Sequence, residues 1–123
     1  MKKSEISVKR GDIWLVRYKK TEAMGTEVYS KLPLEQRPVL VISKDWQSEK
    51  NNRVIGVSLS RTLKPFYEGW EIRVRVNNQE GKIMCDQVRN FDKKKRLIRR
   101  VGVMPVEIIK QVEEKLKDLI WQS

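Results

Sequence analysis

Arg37 and Ser60 are the side chains of this 123-residue chain whose types and surroundings suit work on a phosphate. Arg37 stands before Pro38-Val39-Leu40-Val41-Ile42-Ser43, a nearly continuous apolar run opened by a proline. Proline is tolerated at the first residue of a strand and drives the residue before it into an extended conformation, which aims the guanidinium out of the strand end. Ser60 closes a second strand-forming run, Arg53 to Ser60. A guanidinium within reach of a phosphate stabilises the extra negative charge of a pentavalent phosphorane. A hydroxyl beside it can donate to the same phosphate or orient a nucleophile. The competing reading is plain structure: a solvated arginine at a strand start and a hydroxyl that satisfies nearby backbone. The chain has no histidine, so strand cleavage by a ribose 2′-OH, which usually employs an imidazole as acid or base, would need another group in that role.

Composition narrows the setting. Lys and Arg number 27 against 16 Asp and Glu, a net charge of +11. Such a field favours a polyanion, with nucleic acid ahead of an anionic membrane surface and an acidic protein partner left open. The single cysteine, Cys85, cannot form an internal disulfide, and one cysteine without histidine excludes a standard zinc site. Beside Ile83 and Met84 it reads as a small buried hydrophobe. No metal or other cofactor is expected. No run approaches the roughly 18 apolar residues of a membrane span, and the start Met1-Lys2-Lys3-Ser4-Glu5 is too polar for a signal, so a cytoplasmic location is expected.

Residues 1–123 read as one domain, with 1–9 a flexible polar arm. Ile13 to Tyr18 is the first strand, and 19–36 is a long loop without apolar period, of the kind that is either a functional lid, here an active-site loop, or a disordered segment. The Pro38 and Arg53 strands follow, separated by a polar stretch that can hold one helical turn. Trp70 to Val76 alternates apolar and charged residues, which predicts a half-buried strand whose other face, with Arg73 and Arg75, is basic or wet. Asn77 to Gly81 is turn chemistry leading to a strand over Lys82–Cys85, and Asp86–Asp92 alternates again. There Val88 is expected inward, with Gln87 and Arg89 on the opposite face. Lys93 to Arg100 is a basic run, and Ile109, Val112, Leu116 and Leu119/Ile120 form one stripe of a C-terminal helix opened near Pro105. The whole predicts a mainly β fold, a small, strongly curved antiparallel barrel of five to seven strands with a C-terminal α-helix outside it.

Candidate contacts to nucleic acid are Arg73 and Arg75 on the wet strand face, Arg61 beside Ser60, and Lys93, Lys94 and Lys95 in the basic run, which otherwise read as a solvated charged face. Three of the four tryptophans fall in predicted strands or helix and read as core or interface. Trp46 lies in a polar stretch, where base stacking or a dimer contact would suit it.

Taken in order, Gly11-Asp12-Ile13-Trp14-Leu15-Val16, Arg37 to Ser43, Val57-Ser58-Leu59-Ser60, Asp86-Gln87-Val88-Arg89 with Asp92 and Leu97, and Pro105-Val106-Glu107 resemble the MazF/PemK family of toxin endoribonucleases. The resemblance spans nearly the whole chain, although each piece is short. It implies an SH3-like barrel, a homodimer, metal-independent cleavage of single-stranded RNA, and neutralisation by an acidic antitoxin. It places catalysis on Arg37 and Ser60, and Gln87 and Arg89 near the active site and RNA groove. Two positions depart from the family's pattern. The family's Gly-Ser-Glu-Gln turn is matched either by Gly25-Thr26-Glu27, 12 positions before Arg37, or by Glu35-Gln36, so either Glu27 or Glu35 is the candidate carboxylate at the site. Ser58 stands where many members have proline. A guanidinium has a pKa above about 12, so Arg37 is read as a stabiliser of charge, with Glu27 or Glu35 as a candidate base. Two other activities fit a barrel of this type: a toxin that poisons a DNA topoisomerase by binding it, and a noncatalytic RNA-binding module.

Overall fold

The computed structural model describes residues 6–18 and 36–121. Six antiparallel strands form one curled sheet: β1 (Asp12–Arg17), β2 (Gln36–Val41), β3 (Arg53–Ser60), β4 (Glu71–Val76), β5 (Gln79–Asp92) and β6 (Leu97–Val103). Their order across the sheet is β4-β5-β3-β2-β1-β6. Two short helices, α1 (Asp45–Lys50) and α2 (Lys93–Arg96), connect strands, and α3 (Val106–Leu116) follows the last one. The edge strands meet at one corner, where Asn77 Nδ2 donates to the Val101 carbonyl at 3.0 Å. The result is the expected mainly β architecture, a half-barrel with a C-terminal helix. No helix among the described residues is long and apolar enough to cross a membrane.

Alternation along the strands divides the core in two. Ile13, Leu40, Val57, Leu59, Ile72 and Ile83 point to one face, where α3 covers them with Ile109, Val112 and Leu116. Trp14, Val16, Val39, Val41, Val54 and Phe91 point to the other. The buried Val8 packs into this second cluster, and the Lys9 N–H donates to Asp12 at 2.9 Å. The expected arm over 1–9 is therefore corrected at its end: residues 6–9 belong to the fold, because an apolar face needs them as cover, and 1–5 lie outside the described residues.

Strand β5 replaces the two strands expected over 82–92. It runs 14 residues because a bulge accommodates the change of direction: Val57 pairs with Val88 but Ser58 pairs with Met84. Only Asn77 and Asn78 form the β4–β5 turn, both with positive φ, as the tight turn of a two-residue hairpin requires. The bulge also leaves Val88 exposed rather than inward, while Arg89, opposite Gly56, shares the face of Phe91. The basic run divides between α2, capped by the Asp92 carboxylate accepting from the Lys94 and Lys95 N–H groups, and β6. Those N–H bonds, Lys95's first, hold the Asp92 carboxyl below its ordinary range.

The stripe of α3 stops at Leu116. The chain then winds into a wider π-type turn over Lys117–Trp121, whose changed period rotates Leu119 and Ile120 away from the core. Both are exposed, and so is Trp121 at 72%, which takes this tryptophan out of the core of the single chain. Cys85 is buried, and desolvation pushes its thiol from 9.0 up to about 12. The native thiol is expected to resist alkylation at pH 8 and to react once the chain unfolds; equal rates in both states would contradict this. Above pH 9 only the unfolded thiol ionises, so this group lowers stability as pH rises from about 9 toward 12.

Candidate active site

The registers of four strands build the site. Val39 pairs with Ser58, Ser60 with Lys82, and Lys82 with Arg73. The β2–β3 ladder runs from Val41–Gly56 to Val39–Ser58, and continuing its register two residues past that last pair brings Arg37 across from Ser60. Directly opposed residues in an antiparallel sheet share a face. Arg37, Ser60, Lys82 and Arg73 thus form one row across β2, β3, β5 and β4, three cations with a hydroxyl among them. Adjacent strands lie roughly 4.8 Å apart, so the row extends over about 14 Å.

Arg37 does not reach into solvent from the strand end as its sequence context suggests. Its side chain is 1% exposed, and its Nη1 donates to the Gln36 carbonyl at 2.8 Å. Opposite Val16 on β1, it closes the polar end of the second core. Pro38 explains its backbone. Ser60 is also buried, and its Oγ accepts from the Thr62 N–H at 3.0 Å, which leaves its own proton available to an acceptor on the site face. Gly81 is required beside it, since a Cβ there would lie 2.8 Å from the Ser60 carbonyl oxygen.

Lys82 and Glu71 went unnoticed in the sequence because only the register brings them together. Their side chains are 6% and 5% exposed, and Lys82 Nζ donates to Glu71 Oε1 at 2.9 Å and to the Pro65 carbonyl at 2.5 Å. Glu71 also accepts from the Tyr67 N–H at 3.0 Å. The buried pair thereby ties the segment after Ser60 to the sheet. It also overturns the expectation of a uniformly wet face on β4: Arg73 and Arg75 are exposed, but Glu71 is not. Arg73 lies over the Phe66 ring at 4.7 Å, and Arg75 pairs with Glu80 at 3.0 Å.

Tyr18 is the other missed member. Its hydroxyl shares a 2.6 Å hydrogen bond with Ser58, and Arg89 lies over its ring at 5.5 Å. One ring therefore links the Ser58 hydroxyl of β3 to the Arg89 cation. The polar Ser58-Leu59-Ser60 strand end was the available signal, since a buried serine needs a partner. Tyr18→Phe is expected to cost roughly 1–3 kcal/mol by leaving Ser58 without this bond, measured by urea unfolding; a change within experimental error would show that Ser58 is satisfied otherwise.

The other expected residues distribute unequally. Arg61 is exposed directly after Ser60, and Gln87 is half-buried in the bulge that turns β5. Lys93 is drawn away: its N–H donates to the Asn52 carbonyl at 2.7 Å and its ammonium to Ser48 O, at the other end of β3 from Ser60. Lys94 and Lys95 are exposed beside it. The Lys93–Lys95 part of the basic run is therefore not brought to the Arg37–Ser60 row. Glu27 and Glu35 lie outside the described residues. Trp46 is exposed on α1. Among the described residues no three His, Cys, Asp or Glu side chains cluster as a metal site.

A family profile described as PemK-like, MazF-like toxin of type II toxin-antitoxin system matches residues 9–120. Among solved structures, a chain of the MazE–MazF complex from Deinococcus radiodurans aligns with a TM-score of 0.73 at 16% identity, over 97% of this chain and 100% of that one. An endoribonuclease in complex with its cognate antitoxin from a mycobacterial species aligns with a TM-score of 0.68 at 14% identity, over 90% and 92%. The Mycobacterium tuberculosis toxin MazF-mt6 aligns with a TM-score of 0.64 at 15% identity, over 87% and 93%. No curated protein sequence matches the chain.

Proposed function

Because the chain belongs to the PemK-like, MazF-like toxins of type II toxin-antitoxin systems, we propose that it is a metal-independent endoribonuclease that cuts single-stranded RNA, mRNA included, with sequence selectivity. The observation that carries this reading is the row of Arg37, Ser60, Lys82 and Arg73. Within it Lys82 is held by Glu71 and ties the sheet together, while Arg37 and Arg73 are the cations set along a line that suits a phosphodiester backbone, with a donor hydroxyl beside the better buried of the two.

In this reaction the ribose 2′-oxygen attacks the adjacent phosphorus and the bond from phosphorus to the 5′-oxygen breaks. The products are a 2′,3′-cyclic phosphate and a 5′-hydroxyl. Arg37 stabilises the charge that builds on the nonbridging oxygens, where a preorganised donor acts more strongly than in water. Ser60 donates to the same phosphate and aligns it. The proton of the 2′-OH passes to a base, for which Glu27 or Glu35 is the candidate, and a proton reaches the departing 5′-oxygen. Arg61, Arg73, Arg75, Gln87 and Arg89 hold the flanking strand.

The cationic row also suits an acidic antitoxin, a partner supported by the complexes that similar toxins form. The working unit is a homodimer in the cytoplasm, where mRNA is found. If four of the arginines meet phosphates, affinity for single-stranded RNA falls roughly 50-fold between 50 and 200 mM salt. Titrating an uncleavable 2′-O-methyl RNA checks this, and a flat salt profile would remove them from the groove.

The direct test incubates purified protein with mixed-sequence RNA in EDTA and maps the ends. Discrete cuts with cyclic phosphate ends support the proposal. Intact RNA with inhibited supercoiling would instead make the protein a topoisomerase poison, and intact RNA that stays bound would make it a noncatalytic module.

A further inference from the structure

The row occupies one face of the sheet, but Ser60 also borders a cavity on the opposite face. This cavity, of about 210 Å³, is walled by Leu15, Leu59, Val74, Val76 and Val101. Val74, Val76 and Val101 are only partly buried against the core. Barrel mouths are frequent sites for small ligands. Polar side chains stand around these aliphatic walls: Asn77 and Gln79 from the β4–β5 turn, Arg61 from the end of β3, and Arg99 from β6.

We propose that this cavity is a base pocket, which takes one pyrimidine of the RNA from the nucleotides next to the scissile phosphate. The inference rests on the endoribonuclease reading and adds the feature that selects the base. A single ring fits: an apolar cavity of about 150 Å³ holds a benzene molecule, so 210 Å³ admits one six-membered ring with its substituents. The aliphatic walls meet the faces of the ring. Its edge needs donors and acceptors, since burying them unpaired is costly, and the Asn77 and Gln79 amides offer both. Asn77 donates through Nδ2 to Val101 O, which leaves its Oδ1 for the ligand.

Charge separates a nucleotide from an apolar side chain of a protein partner. A base enters with phosphates on both sides, and two guanidiniums, Arg61 and Arg99, border the cavity. The one carboxylate among its described lining residues, Glu80, is paired with Arg75 at 3.0 Å. Ser60 joins the two faces, bordering the cavity from the strand end that carries the row. A strand whose phosphate lies at Ser60 can therefore turn a neighbouring base around the strand end into the cavity.

The test uses the full chain with methyl-labelled Leu and Val and four uncleavable 2′-O-methyl hexanucleotides, of U, C, A and G. The U or C oligomer is expected to shift the Leu59, Val74 and Val76 methyls and to bind about tenfold more tightly than A or G. Val74→Leu, which partly fills the cavity, lowers that affinity by about tenfold. Gln79→Ala changes an exposed residue and weakens the preference for U or C over A and G even if the first variant folds poorly. Methyls that stay still while the amides around Ser60 move would overturn the pocket, as would methyls moved by an acidic apolar peptide and by none of the oligomers. Since none of these oligomers can be cut, methyl shifts without cleavage of ordinary RNA would sink the endoribonuclease reading and leave the pocket standing.

Discussion

Arg37→Ala is expected to slow RNA cleavage by about 10²- to 10³-fold, the cost typical of removing one preorganised donor from a developing oxyanion. At 1% exposure the guanidinium acts in a site from which the sheet has already removed much of the water, so its field on a bound phosphate is weakly screened. In the proposed mechanism Arg37 and Ser60, at neighbouring ends of β2 and β3, both donate to one phosphate. The loss belongs in kcat, because the interaction strengthens only as charge develops. Arg37→Lys keeps the charge but not the planar fork, and is expected to recover only a small part of the rate. Near-full activity in either variant would take Arg37 out of the chemistry. A urea midpoint for each variant separates lost chemistry from lost folding.

The largest expected effect on stability comes from Lys82→Met. Breaking a buried ion pair from one side leaves the partner's charge without compensation and costs roughly 3–5 kcal/mol. Both side chains are nearly inaccessible, and Glu71 would retain only the Tyr67 N–H among its bonds described above. The double variant Glu71→Leu with Lys82→Met removes both charges and is expected to regain most of the loss, since two apolar residues of similar volume pack where the ions were. Urea unfolding of the two single variants and the double variant checks this. A Lys82→Met protein within about 1 kcal/mol of wild type would mean that water reaches the pair and screens it. The same contact holds Pro65 O, so a destabilised pair should also loosen the segment that carries Arg61.

The sequence conveyed this fold through local signals. Strict alternation placed β4, the proline-led apolar run placed β2, and the spacing of Ile109, Val112 and Leu116 marked the buried face of α3. Arg37 and Ser60 were legible because each ends an apolar strand, where a polar side chain calls for a reason. What alternation cannot supply is register. Lys82 joins the row only because Gly81 and a bulge bring β5 alongside β3 at that offset, and nothing local to Lys82 announces Glu71 as its partner. Tyr18 read as one more apolar residue of the strand expected over Ile13 to Tyr18, since its hydroxyl finds Ser58 forty residues away. The basic run misled for the opposite reason: its composition suggested one surface, but chain geometry split it between α2 and β6 and turned Lys93 toward Ser48.

The most direct test of the proposed chemistry replaces one atom of the substrate. An RNA is first cut by the wild-type protein in EDTA and its cleavage position mapped. The same oligonucleotide is then made with a single 2′-deoxyribose 5′ to the scissile phosphate, which removes the attacking hydroxyl and nothing else. Cleavage there is expected to vanish while binding persists, and the all-ribose strand is expected to carry a 2′,3′-cyclic phosphate and a 5′-hydroxyl. Equal cutting of the deoxy-substituted strand, or a 5′-phosphate on the product, would contradict 2′-OH attack organised by Arg37 and Ser60.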